Sequence, residues 1–228
     1  YIRMKNSIRT AMLSFLLISL LLGGIGLCFS RQIMEALNTP ADTMDIAVIY
    51  LNIYFYGLPF LFMYNILSSM FNALGESRIP LYLLIFSSVL NIFLDLYMVA
   101  TLHLGVAGAA YATFIAQGIA CVLALITMVG RLKQIKTEKR AAYFSADMLK
   151  RIARIAVPSI LQQSFISVGN IVIQSIINGF GTAVMAGYSA AVKLNNMVIT
   201  SLTTLGNGIS NFTAQNLGAA KYDRIRAG

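Results

Sequence analysis

The chain has 228 residues, of which 58% are hydrophobic and 11% charged, with a mean hydropathy of +0.75. A water-soluble domain of this size needs about 25% charged residues to cover its surface, so much of this apolar excess must face something other than water. The net charge of +9 does not point to nucleic acid, because most basic residues sit in the segments joining apolar runs.

Apolar runs long enough to cross a bilayer recur along the chain and predict an all-α polytopic membrane protein with six transmembrane helices. The first span is expected over residues 11–29, bounded by Arg9 and Arg31. The second covers residues 46–74, long enough to tilt or kink, with Gly57-Leu-Pro59 as the expected kink site. The third starts at Ile79-Pro80, where proline suits a helix start, and ends near Leu102. The fourth is expected over residues 105–130, the fifth over 155–180 and the sixth over 183–217. Residues 75–78, 102–104 and 181–182 read as tight turns between antiparallel helices.

One side of the membrane collects the charge. The N-terminal stretch, the turn at Arg78, the segment 131–154 and the C-terminal tail hold all the Lys and Arg except Arg31 and Lys193. The positive-inside rule therefore places both ends of the chain and the basic loop in the cytoplasm. That loop reads as a solvated linker near anionic headgroups, dividing a four-span block, 1–130, from a two-span block, 155–228. The chain starts at Tyr1 without a signal peptide and ends on a basic stretch, and it is expected to be a segment of a longer polypeptide. Cys28 and Cys121 lie far apart in apolar runs and read as small buried hydrophobes.

Between Arg78 and Arg131 the only formal charge is Asp95. An ionised carboxylate at membrane depth costs several kcal/mol unless it is paired or protonated. Asn91 lies one turn earlier on the same face. Helical rise puts Thr113 of the fourth span and Asn65 of the second at comparable depths, so the four side chains are expected to converge between three helices. A carboxylate, two amides and a hydroxyl offer oxygen ligands for a small hard cation such as sodium, with Asp95 and Asn91 as its first ligands, or hydrogen-bond partners for a protonated acid. Interhelical hydrogen bonds are worth well under the cost of a buried charge, so the amides serve equally as packing glue and the aspartate does not. The small residues from Gly105 to Ala112 read as a close-packing surface, and His103 as a solvated turn residue.

In the second block Lys193 is the only charge between Arg154 and Lys221, and helical rise puts it near the midplane. It either faces a wet cavity or pairs with an acid from another span. Gln162, Gln163, Asn170 and Gln174 on the fifth span either line the same cavity or bond to neighbouring helices.

Pro80, Asn91-Ile-Phe-Leu-Asp95, Leu104-Gly-Val-Ala-Gly-Ala-Ala-Tyr-Ala-Thr113 and Gln117 together resemble the central signature of multidrug and toxic compound extrusion (MATE) transporters. The flanks agree: Tyr54-Phe-Tyr-Gly-Leu-Pro59, Asn72-Ala-Leu-Gly75-Glu-Ser-Arg78, Val157-Pro158, the stretch from Gly181 through Tyr188, and Gln215-Asn-Leu-Gly218. The resemblance implies that these spans are similar to the third through eighth of a twelve-helix, two-lobe antiporter. The chain would then lack the first two spans and stop four short of the end, and it is not expected to transport alone. The resemblance further implies export of amphipathic or cationic small molecules across the plasma membrane, driven by sodium or protons, with no other cofactor and no enzymatic activity. The family's N-lobe cation site matches Asn91, Asp95, Asn65 and Thr113. One branch of the family carries a glutamate eight residues after the proline that opens the seventh span, and this chain has Ile166 there, which points to coupling through the N-lobe. Two other readings compete. A lipid-linked oligosaccharide flippase of the same superfamily is expected to carry more charge in its cavity. A non-transporting membrane scaffold would use Asp95 to pair with a partner helix.

Overall fold

In the computed structural model, residues 2–36, 43–134, 144–178 and 182–227 are described. They form α1 (Ile2–Ala36), α2 (Met44–Ala73), α3 (Arg78–Asp95), α4 (Gly105–Gln134), α5 (Ala146–Asn178), α6 (Thr182–Gly218) and α7 (Tyr222–Ala227). A π-helical turn, Leu96–Thr101, continues α3. Each expected span is a helix; α1, α4 and α5 run a turn or more past the expected bounds, and the others agree with them to within two residues. Residue 181 of the expected turn at 181–182 and the middle of the basic loop, 135–143, lie outside the described residues.

Among the described residues, five helices are long and apolar enough to cross a membrane: α1, α2, α3 with its π turn, α4 and the Ala146–Gln174 part of α5. The sixth expected span is helical but falls short in composition. Asn195, Asn196, Thr200, Thr203, Asn207 and Asn211 dilute the apolar residues of α6. Apolar length among the described residues therefore supports five of the six expected spans.

The chain divides into two compact units, Tyr1–Leu149 and Lys150–Gly228. In the first unit α1 packs on α2, α2 on α4 and α4 on α3, while α2 and α3 touch only lightly. The α1–α2 seam is built from Ser19, Gly23, Gly26 and Ser30, all buried. Small residues are what allow two membrane helices to approach closely. A Cβ at Gly23 would come within 3.1 Å of the Phe55 carbonyl oxygen. That carbonyl is the one Pro59 leaves without its helical donor. α2 runs unbroken through the expected kink site at Pro59.

On α4 every fourth residue is buried: Gly108, Ala112, Ala116, Ala120, Ala124, Met128 and Leu132. A four-residue step advances about 40° around a helix of 3.6 residues per turn, so the line winds round α4 and serves neighbours on two sides. The small-residue surface read from the sequence is thus a packing surface. Cys121 is buried as expected, and Cys28 is instead exposed; both are free thiols.

The turns of the first unit are closed by local chemistry. α2 ends in a Schellman motif, with Glu76 N–H donating to Phe71 O at 2.9 Å and Gly75 N–H to Asn72 O at 3.1 Å. Gly75 takes the left-handed conformation this requires, at φ 83°. Glu76 then pairs with Arg131 at the end of α4, Oε2 to Nε 3.2 Å. Ser145 caps α5 by accepting from Met148 N–H at 3.5 Å, and its own N–H donates to Oγ1 of Thr10, a fully buried residue of α1, at 3.0 Å.

In the second unit α5 and α6 expose most of their apolar side chains, among them Ile155, Phe165, Ile171, Leu194, Met197 and Leu205.

Candidate functional site

The α3–α4 seam carries the polar groups. Near the middle of the seam Ser87 Oγ donates to Ala116 O at 3.4 Å. One turn further along α3 Asn91 Nδ2 donates to Thr113 Oγ1 at 3.4 Å, and Thr113 Oγ1 donates to Ala109 O at 3.1 Å. Thr113 thereby spends its proton on its own helix and accepts the Asn91 amide. Asn91 Oδ1 is left as the acceptor of that pair. Further along, the backbone of Met98 in the π turn lies against Gly108. These contacts run in antiparallel register, so Asp95 falls opposite the alanines around Ala109, which offer no side-chain donor. The half-buried Asp95 has its Oδ1 sealed from solvent with no hydrogen-bond partner.

Asp95 is also the last residue of α3 before the π turn. Leu102 N–H donates to Tyr97 O at 3.0 Å, five residues back, and Leu104 N–H to Met98 O at 3.0 Å. A π turn takes backbone groups out of the regular α-helical ladder, and in a membrane such irregularity belongs where it is buried in protein or lines a wet cavity.

Asn65 is placed elsewhere. It is exposed, its Nδ2 donates to Leu61 O of its own helix at 2.8 Å, and with Phe15, Phe62 and Ser69 it lines an open groove formed by α1 and α2. Depth alone groups it with the other three. The order of the helices does not, because α3 packs chiefly on α4.

A cavity of about 60 Å³ opens between α2 and α4, lined by Tyr50, Tyr54, Gly57, Thr113, Phe114 and Gln117, with Ile53, Leu61 and Ala110 behind them. The Phe114 ring is set edge-to-face on Phe60 at 5.6 Å, and Gly57 leaves room for it. Thr113 thus faces both the α3 seam and this aromatic cavity. These aromatics do not stand out in the sequence, because Tyr and Phe are frequent in membrane spans and carry no spacing of their own.

In the second unit Lys193 on α6 and Gln162, Gln163 and Asn170 on α5 are all exposed. Gln163 contributes its backbone carbonyl to Ser167 Oγ at 3.0 Å. Ile166, at the position considered for a second acid, is half exposed at 49%. Among the described residues no group of three or more His, Cys, Asp or Glu gathers to hold a metal ion. A cation at Asp95 would therefore rely on amide, hydroxyl and backbone oxygens beside the one carboxylate.

Known proteins resemble the chain in both sequence and fold. A family profile described as MatE matches residues 1–97 and 158–227. Two proteins of Bacillus subtilis (strain 168) are each 30% identical to the chain. The probable multidrug resistance protein YpnP aligns over 89% of this chain and 45% of its own length. The probable multidrug resistance protein YoeA aligns over 98% and 50%. The crystal structure of a MATE in complex with MaD5 superposes with a TM-score of 0.85 at 20% identity, covering 97% of this chain and 51% of that one. The chain spans about half the length of the curated relatives it matches.

Proposed function

The chain belongs to the MatE family, and from that premise we propose that it forms part of a cation-coupled antiporter in which Asp95 is the coupling residue. The transporter exports amphipathic or cationic small molecules by alternating access, with sodium or protons as the driving ion and no further cofactor or enzymatic step. The observation that carries this reading is the sealed, unpartnered Oδ1 of Asp95 inside an apolar span, next to the Asn91–Thr113 pair. A carboxylate left in that position is stable only when a cation or a proton joins it. The ionised form draws a cation, with Asn91 Oδ1 as a second oxygen ligand. The protonated form needs an acceptor, which the same amide oxygen supplies. A group that must be filled in one of two ways can tie the state of the helices to an ion gradient.

The remaining spans of the two lobes, the bilayer and the exported compound are its partners. Asn65 stays in the proposed coupling group on its matching depth alone, since its side chain lies on the groove of α1 and α2. Lys193, Gln162, Gln163 and Asn170 are assigned to the substrate cavity, where an exposed lysine at midplane depth needs water or an anionic group. The concentration of Lys and Arg at one end of the helices supports a plasma-membrane orientation with both ends of this segment cytoplasmic.

Dye efflux from vesicles under an imposed sodium or proton gradient tests the assignment and names the ion. Asp95→Asn in the full-length transporter is expected to abolish ion-driven efflux while leaving membrane insertion intact. Undiminished efflux in that variant sinks the proposal, and absence of efflux by the wild type under either gradient favours a scaffold.

A further inference from the structure

In the sequence Gly108 is one of several small packing residues, yet its surroundings single it out. A Cβ built there would lie 3.0 Å from Leu104 Cβ, 3.2 Å from the carbonyl carbon of Met98 and 3.2 Å from its oxygen. Two of these three atoms are backbone, and they belong to the π turn. The Met98 carbonyl is also engaged, since it accepts from Leu104 N–H at 3.0 Å. By contrast, a Cβ at Gly118 or Gly130 of the same helix would meet nothing within 4 Å. Room for a missing side chain is therefore needed at Gly108, and specifically under the π turn.

Met98 follows Asp95 by three residues, inside the π turn that continues α3. The seam below Asp95 is fixed by Asn91 on Thr113, and the seam above it by Met98 on Gly108. Asp95 is held between two anchors, and its Oδ1 finds no hydrogen-bond partner between them.

We propose that Gly108 is a positioning residue for Asp95: it seats the π turn against α4 and so fixes where the carboxylate stands relative to Asn91 and Thr113. This rests on the reading of Asp95 as the coupling residue. Any side chain at position 108 pushes the Met98 backbone outward by a few tenths of an ångström and turns the carboxylate with it. The titratable groups on the packed elements nearby are Tyr97 of the π turn, His103 of the α3–α4 turn and Tyr111 of α4. None is an acid that could take over the role of Asp95.

The test is ion-driven dye efflux by the full-length transporter in vesicles, recorded against the concentration of whichever ion drives the wild type. Gly108→Ala is expected to raise the ion concentration for half-maximal efflux by about tenfold, the size seen when the groups that orient an ion's ligands are disturbed. Gly118→Ala, which adds the same methyl group to open space, is expected to superpose on the wild type. If Gly108→Ala changes only the maximal rate, or nothing, or if Gly118→Ala shifts the curve equally, the proposal is overturned. Should Gly108→Ala fail to insert, deletion of Val99 carries the test, because removing one residue from the π turn restores α-helical spacing beside Asp95. An ion dependence unchanged by that deletion also overturns it. Asp95→Asn, run alongside, separates the two ideas: retained efflux there removes the coupling assignment itself, whereas lost efflux with an unmoved Gly108→Ala curve removes only the positioning role.

Discussion

Gly26 of α1 sits so close to the Phe55 ring of α2 that a Cβ there would overlap it. Gly23, one turn away, lies on the Phe55 carbonyl that Pro59 deprives of a helical donor. A glycine Cα–H is among the few groups that can approach such a carbonyl closely and favourably in a membrane interior. Gly26→Ala is therefore expected to destabilise the α1–α2 pair by about 1–3 kcal/mol, the usual cost of overpacking. Phe55→Leu in the same chain should recover most of that loss, since it removes the ring that the methyl group meets. Thermal unfolding of the two single variants and the double variant in detergent reads the coupling, and simple additivity would refute the contact. The polar residues illustrate what a sequence can and cannot carry at this scale. Helical rise sets how deep each polar side chain lies, and Asn91 and Thr113 do meet. Depth carries no information on which neighbour a helix faces. Asn65 lies at a matching depth, but α3 packs chiefly on α4 and touches α2 only lightly.

Helix ends show how a short motif sets an element boundary. α2 and α6 close with the same hydrogen-bond pattern, Glu76 N–H to Phe71 O and Lys221 N–H to Asn216 O, both 2.9 Å. The pivotal residue is Gly75 at φ 83° in the first and Ala220 at φ 56° in the second. Left-handed backbone costs an L-residue roughly 1–2 kcal/mol relative to glycine. Gly75→Ala should thus destabilise the turn by about 1 kcal/mol, while Ala220→Gly should stabilise the α6–α7 turn by a comparable amount. Hydrogen exchange at the Glu76 and Lys221 amides measures both, and equal protection changes of the same sign would refute the assignment. The first of these caps is legible in the sequence, since a glycine followed by polar residues at the end of an apolar run marks a turn at Gly75. The π turn after Asp95 is not. Its residues, Leu96 to Thr101, suit an α-helix as well, and the extra residue is selected by packing against Gly108 on the next helix rather than by any local pattern. α6 is the opposite case, a helix whose place is evident while its Asn and Thr content lowers its claim to be an apolar span.

Across the whole chain the governing asymmetry is electrical. The helices of the first unit carry their Lys and Arg at one end, with Arg31 as the exception on the other. Each basic residue near an anionic leaflet gains about 1 kcal/mol, so several of them together outweigh any single misplaced charge in setting orientation. α3 with its π turn is 24 residues long, about 36 Å at 1.5 Å per residue, against a hydrocarbon thickness of about 30 Å. Its two ends must therefore emerge on opposite sides. Ser77 in the α2–α3 turn and His103 in the α3–α4 turn are both exposed and can each carry a reporter thiol. With Cys28 and Cys121 replaced by serine, His103→Cys is expected to react with a membrane-impermeant maleimide on intact cells. Ser77→Cys should react only after the membrane is opened. The reverse pattern would overturn the cytoplasmic placement of the chain ends, and labelling of both from outside would deny that α3 spans at all. The same pair of thiols follows alternating access: if the α3–α4 block moves as one body, reactivity at the two positions should change in opposite directions when the driving ion is added. Parallel changes would mean that the ion acts on insertion or stability, and that Asp95 does not couple to the motion.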